Sequence, residues 1–292
     1  MKALFFGEIL WDIIEGKAYL GGAPFNVAAH IAKCGAHSYI ISRLGKDDLG
    51  KKAMEEIKKL PVDPSLVQWD EHHPTGTVDV FLEQGQPDYT IHENVAYDFI
   101  ETGALKSALP SATLDCFYFG TLAQRNDISR HTLQWILNNR SFSLVFYDVN
   151  LRKGLHSKEI IENSLRFCNV FKLNQDEVAI IGDLLYGKSY SLPDFAEAIQ
   201  NEFDVDILVI TASEKGCYVA ADEFRLVPGK KVQLVDAVGA GDAFSAAFLF
   251  KYFQEKDPFK AAEAANKLGA FVASSRGPIP DYSPEIMKIL EI

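Results

Sequence analysis

Val235-Asp236-Ala237-Val238-Gly239-Ala240-Gly241-Asp242-Ala243-Phe244-Ser245-Ala246-Ala247-Phe248-Leu249 is the stretch around which the rest of the sequence is read. The run Lys231 to Val235 predicts a strand leading into Asp236. Gly239-Ala240-Gly241 predicts a tight turn, and Asp242 opens a helix that stays apolar on nearly every side through Phe250. A helix without a polar face is a buried one. Its first turn offers unpaired N–H groups and the positive end of the peptide dipoles, a setting that suits phosphate. The glycines let a ligand approach the backbone closely. Asp242 has two readings there: a helix cap, or a carboxylate aimed at whatever the turn binds. A buried glycine turn with two flanking aspartates costs stability unless something uses it, which favours the second.

With 292 residues, 48% of them hydrophobic, the chain can build a substantial core without a disulfide or metal staple. The formal charge of -11 argues against a nucleic-acid partner, which needs a basic footprint. Cys34, Cys116, Cys168 and Cys217 are widely spaced in apolar stretches and read as reduced core residues. No apolar run reaches membrane-spanning length and no leader segment is read at the start, so a cytoplasmic protein with no membrane partner is expected.

Taken in order, Ala3 to Gly7 predicts a buried central strand. Gly21-Gly22-Ala23-Pro24-Phe25-Asn26 then opens a helix framed by Pro24 and Gly35, with Val27, Ile31 and Cys34 on its inner face. Asn26, in its first turn, is placed to meet a ligand or to bond locally to the backbone. Ser38 to Ser42 predicts a strand, and a helix follows Gly45-Lys46-Asp47 to about Leu60. Residues 74–93 alternate in polarity around Gly85-Gln86-Pro87-Asp88, the pattern of a hairpin with one wet face. It reads either as an insertion or as a plain edge hairpin. Strands at Leu114–Gly120, Leu144–Tyr147, Val170–Leu173 and Ile207–Ile210 each end in a polar cluster. Helices are expected at about Ile128–Asn139, Pro258–Ser274 and Pro284–Leu290. The alternation predicts an α/β fold, doubly wound, with a mostly parallel sheet flanked by helices and ligands outside the carboxyl ends of the strands. There is no Walker loop and no Gly-x-Gly-x-x-Gly dinucleotide fingerprint.

Five segments, in order, resemble the motifs of the PfkB/ribokinase family of carbohydrate kinases: Gly21-Gly22-Ala23-Pro24-x-Asn26, Gly45-x-Asp47, Asp148-x-Asn150-x-Arg152, Asn174-x-x-Glu177 and Gly239-Ala240-Gly241-Asp242. Ala237 stands where the family usually has threonine. The form of the first segment is most like the fructokinase branch. The resemblance implies a single ribokinase-like kinase domain over 1–292, with a small β-sheet lid from about 11–20 and 74–95. It implies ATP-dependent phosphorylation of a sugar hydroxyl, with Asp242 as base and the amides of Gly239, Ala240 and Gly241 on the transferring phosphoryl. Asp12, Gly22, Asn26 and Arg152 would hold the sugar. Lys172, Asn174, Thr211, Ser213, Gly216 and Asn266 would surround the nucleotide. Glu177 would organise Mg2+ through water. Asp236, Val238, Ala273, Arg276 and Gly277 fall where relatives bind a monovalent cation such as K+. A homodimer through the lid is implied as well.

Relatives often carry an arginine shortly after the aromatic of the second lid strand. Here the sequence runs Tyr89-Thr90-Ile91-His92-Glu93, and a glutamate would repel a substrate carboxylate. This favours a neutral hexose, fructose first. The open alternatives are 2-keto-3-deoxygluconate, ribose or a nucleoside as substrate, or a catalytically silent sugar-binding relative.

Overall fold

The computed structural model describes residues 1–83, 86–110 and 113–291. Gly85 of the expected hairpin turn lies outside the described residues. The first third of the chain runs β1 (Lys2–Phe6), β2 (Leu10–Ile14), β3 (Lys17–Gly21), α1 (Ala23–Lys33), β4 (His37–Gly45), α2 (Asp48–Ile57), β5 (Val62–Asp63), β6 (Val67–Asp70), β7 (Gly76–Glu83) and β8 (Gln86–Ile91). Strand and helix then alternate through α3 (Thr102–Ala108), β9 (Leu114–Gly120), α4 (Asp127–Asn139), β10 (Phe142–Asp148), α5 (Lys158–Leu165), β11 (Val170–Asn174), α6 (Gln175–Tyr186), α7 (Leu192–Phe203) and β12 (Ile207–Thr211). An antiparallel pair, β13 (Gly216–Ala220) and β14 (Phe224–Pro228), precedes α8 (Ala240–Glu255), α9 (Pro258–Ala273) and α10 (Pro284–Leu290).

The large sheet has the order β14-β13-β12-β11-β10-β9-β1-β4-β5, with β6 also paired to β4. From β12 through β5 every neighbouring pair is parallel. Such strands are covered on both faces and read as continuous apolar runs. In β1, Ala3 and Phe5 pack toward α1, α8 and α9, while Leu4 and Phe6 pack into the opposite layer with α4 to α7. Side chains of successive residues point to opposite faces, so four consecutive residues serve two cores. Between β9 and β4 the chain direction of the winding reverses about β1, and the ends of β1, β9, β10 and β11 open at this switch point.

The second sheet has the order β3-β2-β7-β8 and holds the two segments expected of the lid. Register pairs Asp12 with Tyr19 and with Val78. Val80, two residues on from Val78, faces Tyr89 in the backbone register. Opposed residues share a face, so Asp12, Tyr19 and Tyr89 lie on one side of this sheet. Trp11 faces the other way, buried, with Nε1 donating to Leu49 O at 3.0 Å.

One expected element does not form. Lys231–Val235 has the alternation of a strand but finds no ladder partner among the described residues. Only the amides of Val235 and Asp236 are held, by Ala273 O at 2.9 and 3.2 Å, and Val232, Leu234 and Val235 are exposed. The stretch instead carries the chain from β14, at the sheet edge, back to the start of α8. Helix α8 itself begins at Ala240, two residues earlier than the sequence indicates, and residues 243–251 are buried without interruption. No helix among the described residues is long and apolar enough to cross a membrane.

Candidate active site

Gly239 caps α8 with φ +79, a left-handed conformation, and a Cβ there would stand 2.5 Å from Pro278 Cβ. Only glycine fits without strain. The small-residue face of α9 lets it close on this turn: a Cβ on Gly269 would meet Ala240 O at 3.1 Å. Asp242 makes no capping bond; its Oδ2 accepts from Asn26 Nδ2 at 2.8 Å. The Ala240 amide turns back to Ala237 O at 3.3 Å. Among the described residues no acceptor takes the amides of Gly239, Gly241 or Asp242, as expected for the start of a helix. The amides without an acceptor therefore differ from the three expected to meet phosphate, with Asp242 N in place of Ala240 N.

Asn26 is positioned by α1, whose cap Gly22 has φ +109 and would bring a Cβ to 2.3 Å from Glu8 O. Asn26 Oδ1 is buried and has no partner among the described residues. A buried amide oxygen left open in this way has room for one donated hydrogen bond. Glu8 accepts from the Ala23 amide at 3.3 Å and is buried. With Ala23, Tyr118, Thr121, Asp148 and Arg152 it lines a narrow cavity at the strand ends.

Burial pushes the Glu8 carboxyl up to about 7, offset in part by a backbone hydrogen bond and by Arg152. Asp12 rises to about 6 by burial and the nearby Asp242 charge, against Arg152. Asp242 also rises to about 6, by burial and then the Asp148 charge, while the Asn26 bond, Lys172 and Arg152 oppose this. These groups stay ionisable near neutrality, the range a general base needs. Arg152, the counter-charge to all three, is steadied by Nη1 donating to Asn150 Oδ1 at 2.7 Å.

Two of the residues expected around the nucleotide already have protein partners. Lys172 is buried and turned under the glycine turn, with Nζ donating to Asp148 Oδ1 and Oδ2 at 2.9 and 2.8 Å. Asn266 is a strut: its Nδ2 donates to Val227 O at 3.0 Å and Pro228 O at 3.2 Å, tying α9 to β14. Both side chains are thus satisfied within the protein, as a buried polar group requires. Thr211 and Asn174 end adjacent strands in register, and Ser213 and Gly216 follow with φ of +50 and +104.

Glu177 forms a capping box with Asn174: Glu177 Oε2 accepts from Asn174 N at 2.7 Å and Asn174 Oδ1 from Glu177 N at 2.9 Å. Its Oε1 accepts from Leu151 N at 2.7 Å, which fastens the Asn150–Arg152 loop to α6. At the expected monovalent site, Asp236 accepts from the amides of Val238 and Gly277 at 3.0 and 3.3 Å. Ala273 O already takes two amides, and Arg276 is exposed. No cluster of three or more His, Cys, Asp or Glu able to hold a metal exists among the described residues.

Sequence reasoning assigned no role to Glu8 or Asp148. Glu8 stands directly after the Gly7 that ends the first strand, and Asp148 belongs to a quoted motif, so position at a strand end was the available signal.

The chain is 28% identical to fructokinase-1 of Oryza sativa subsp. japonica, over 98% of this chain and 96% of that one. It superposes on the crystal structure of the sugar kinase PH1459 of Pyrococcus horikoshii in complex with ATP with a TM-score of 0.86, at 26% identity, covering 100% of this chain and 99% of that one. Fructokinase of Vibrio cholerae O395, solved with fructose, ADP and calcium, shares the fold at a TM-score of 0.82 and 23% identity, covering 95% and 94%. The model of the pfkB family carbohydrate kinases matches residues 4–286, almost the full length, and the chain belongs to that family.

Proposed function

We propose that this carbohydrate kinase transfers the γ-phosphoryl group of ATP to the 6-hydroxyl of fructose. The observation that carries the reading is the half-buried Asp242 carboxylate, bonded to Asn26 and set beside amides with no acceptor. In this reading Asp242 takes the proton of the attacking hydroxyl. The amides of Gly239, Gly241 and Asp242 face the charge on the transferring phosphoryl, and such fixed dipoles are often the largest catalytic contribution. Asn26 Oδ1 is free to accept from a second sugar hydroxyl, and Asp12 and Arg152 lie within electrostatic reach of the same space. Tyr19 and Tyr89 share the Asp12 side of the small sheet and would meet the sugar if that sheet closes.

Magnesium on the nucleotide phosphates would offset their charge. The donor set fits an ion held mainly by phosphate and water, because Glu177 already accepts two backbone amides and retains lone pairs only for a water shell. Asp236 and Ala273 are engaged by amides, so no step here is assigned to a monovalent cation.

Fructose is favoured over an acidic sugar because Glu93 stands where a basic residue would be needed to pair with a substrate carboxylate, and like charges repel. We infer also that two copies pair through the small sheet, which light scattering would test as a doubled mass. The decisive assay is ADP release over a panel of sugars with Asp242→Asn beside the native enzyme. A loss of at least about a hundredfold in turnover is expected. An unchanged rate would discard Asp242 as the base, and 2-keto-3-deoxygluconate outperforming fructose would discard the substrate.

A further inference from the structure

Beneath the glycine turn lies an ion pair to which phosphoryl transfer as described assigns no task. Asp148 ends β10 and Lys172 stands opposite it in the parallel register of β11. Besides the two bonds from Lys172, Asp148 Oδ2 accepts from the Tyr118 hydroxyl at 3.1 Å and from Ser245 Oγ at 2.8 Å. The side chains of Asp148 and Lys172 are 1% and 9% exposed. Ser245 lies one helical turn after Gly241 and its hydroxyl is also 3.0 Å from Gly241 O. Lys172 Nζ would be 3.8 Å from a Cβ placed on Gly241. The pair is thus fastened to the underside of the turn that carries Asp242.

We propose that Asp148 and Lys172 are positioning residues for Asp242: Lys172 and Ser245 together hold the Asp148 carboxyl in place, which fixes the first turn of α8, and the two charges of the pair act on the Asp242 carboxyl with opposite sign. This rests on the reading of Asp242 as the base. A buried pair of charges is costly, and an apolar pair of similar size would serve stability as well or better. A buried pair is also poorly screened, so its field reaches neighbouring groups.

The charged and titratable groups facing Asp242 are Glu8, Asp12, Tyr118, Asp148, Arg152 and Lys172. Asp148 pushes the Asp242 pKa up, and Lys172 pulls it down. The two members therefore act with opposite sign on one limb of the pH profile. Lys172→Met leaves Asp148 uncompensated and moves the acid limb of kcat/KM to higher pH. Asp148→Asn removes a negative neighbour and moves it to lower pH. Each shift is on the order of one pH unit. Lys172→Arg keeps the limb in place, and the double variant Lys172→Met/Asp148→Asn returns it toward the native position.

The experiment records kcat/KM against pH for these variants on whichever sugar is turned over, with thermal melts of the same samples. Opposite shifts support the proposal. Rates that fall with the limb unmoved, or limbs that move the same way, overturn it, because a merely structural pair has no reason to reverse sign. If a single-charge variant does not fold, Ser245→Ala decides instead: it strips one donor from Asp148, and the limb rises if the pair acts on Asp242 and stays if it does not. Asp242→Asn is run alongside. A surviving rate there discards the base itself, whereas an inactive Asp242→Asn with unmoved limbs in the pair variants discards only the role of the pair.

Discussion

Asn26 Nδ2 and Asp242 Oδ2 are 2.8 Å apart although 216 positions separate them in the chain. The bond joins the first turns of α1 and α8, two helices whose N-termini both open on the strand ends. It orients the carboxylate away from its own helix amides, which is why Asp242 is no cap. It also lowers the Asp242 pKa against the rise from burial.

Asn26→Ala should therefore act in two ways. Loss of a hydrogen bond to a charged group costs about 1.5–3 kcal/mol, or roughly ten- to a hundredfold in kcat/KM. Removing the donor raises the Asp242 pKa from about 6, so an acid limb governed by that carboxyl should move to higher pH. Rate profiles against pH check both. A variant with a lower rate and an unmoved limb would show that the bond only shapes the pocket.

Glu8 predicts a stability effect of opposite sense to that of an ordinary paired carboxylate. Its folded pKa of about 7 lies above the 4.5 of the unfolded chain. Between those values the native state binds more protons, so stability is fully present below 4.5 and is lost as pH rises through about 7. Glu8→Gln cannot ionise and keeps an oxygen for the Ala23 amide. It should leave the melting temperature nearly unchanged in acid and raise it above pH 7, by an amount equivalent to about 1–3 kcal/mol. Equal melting temperatures at alkaline pH would refute the burial of an ionisable Glu8.

Most of the architecture was legible because local and global preferences agree. The interior strands are short apolar runs followed by polar clusters, and only a doubly covered parallel sheet has use for both. Lys231–Val235 was misread because alternation tells which residues share a side, not whether a neighbouring strand edge exists. The site was legible where backbone geometry demands a residue type, as at Gly22 and Gly239. It was obscure where a side chain's role depends on a neighbour far along the chain. Lys172 ends on Asp148, 24 positions away, and Asn266 ends on Val227, 39 positions away. Spacing along one sequence does not reveal which strand will be adjacent.

The glycine turn proposed to meet the transferring phosphoryl makes the sharpest mutational test. Gly239→Ala forces a left-handed backbone onto a residue with a Cβ, and that Cβ would lie 2.5 to 2.9 Å from Pro278 atoms. Pro278 cannot withdraw easily: its carbonyl is 2.9 Å from His30 Nε2, and His30 is fully buried with Nδ1 2.7 Å from the Tyr282 hydroxyl. Backbone strain of about 1–2 kcal/mol and overpacking of about 1–3 kcal/mol should add, lowering the melting temperature by several degrees. The turn must shift to relieve the overlap, so kcat should fall at least tenfold, on the order of 1.4 kcal/mol in the barrier. Gly35→Ala is the control, because Gly35 has φ +84 but nothing within 4 Å of its Cβ position. It carries the strain without the overlap and lies outside the site. Its melting temperature should fall less and its kcat should not change. If both variants lose kcat equally, general loosening of the fold, not displacement of the turn, limits the rate.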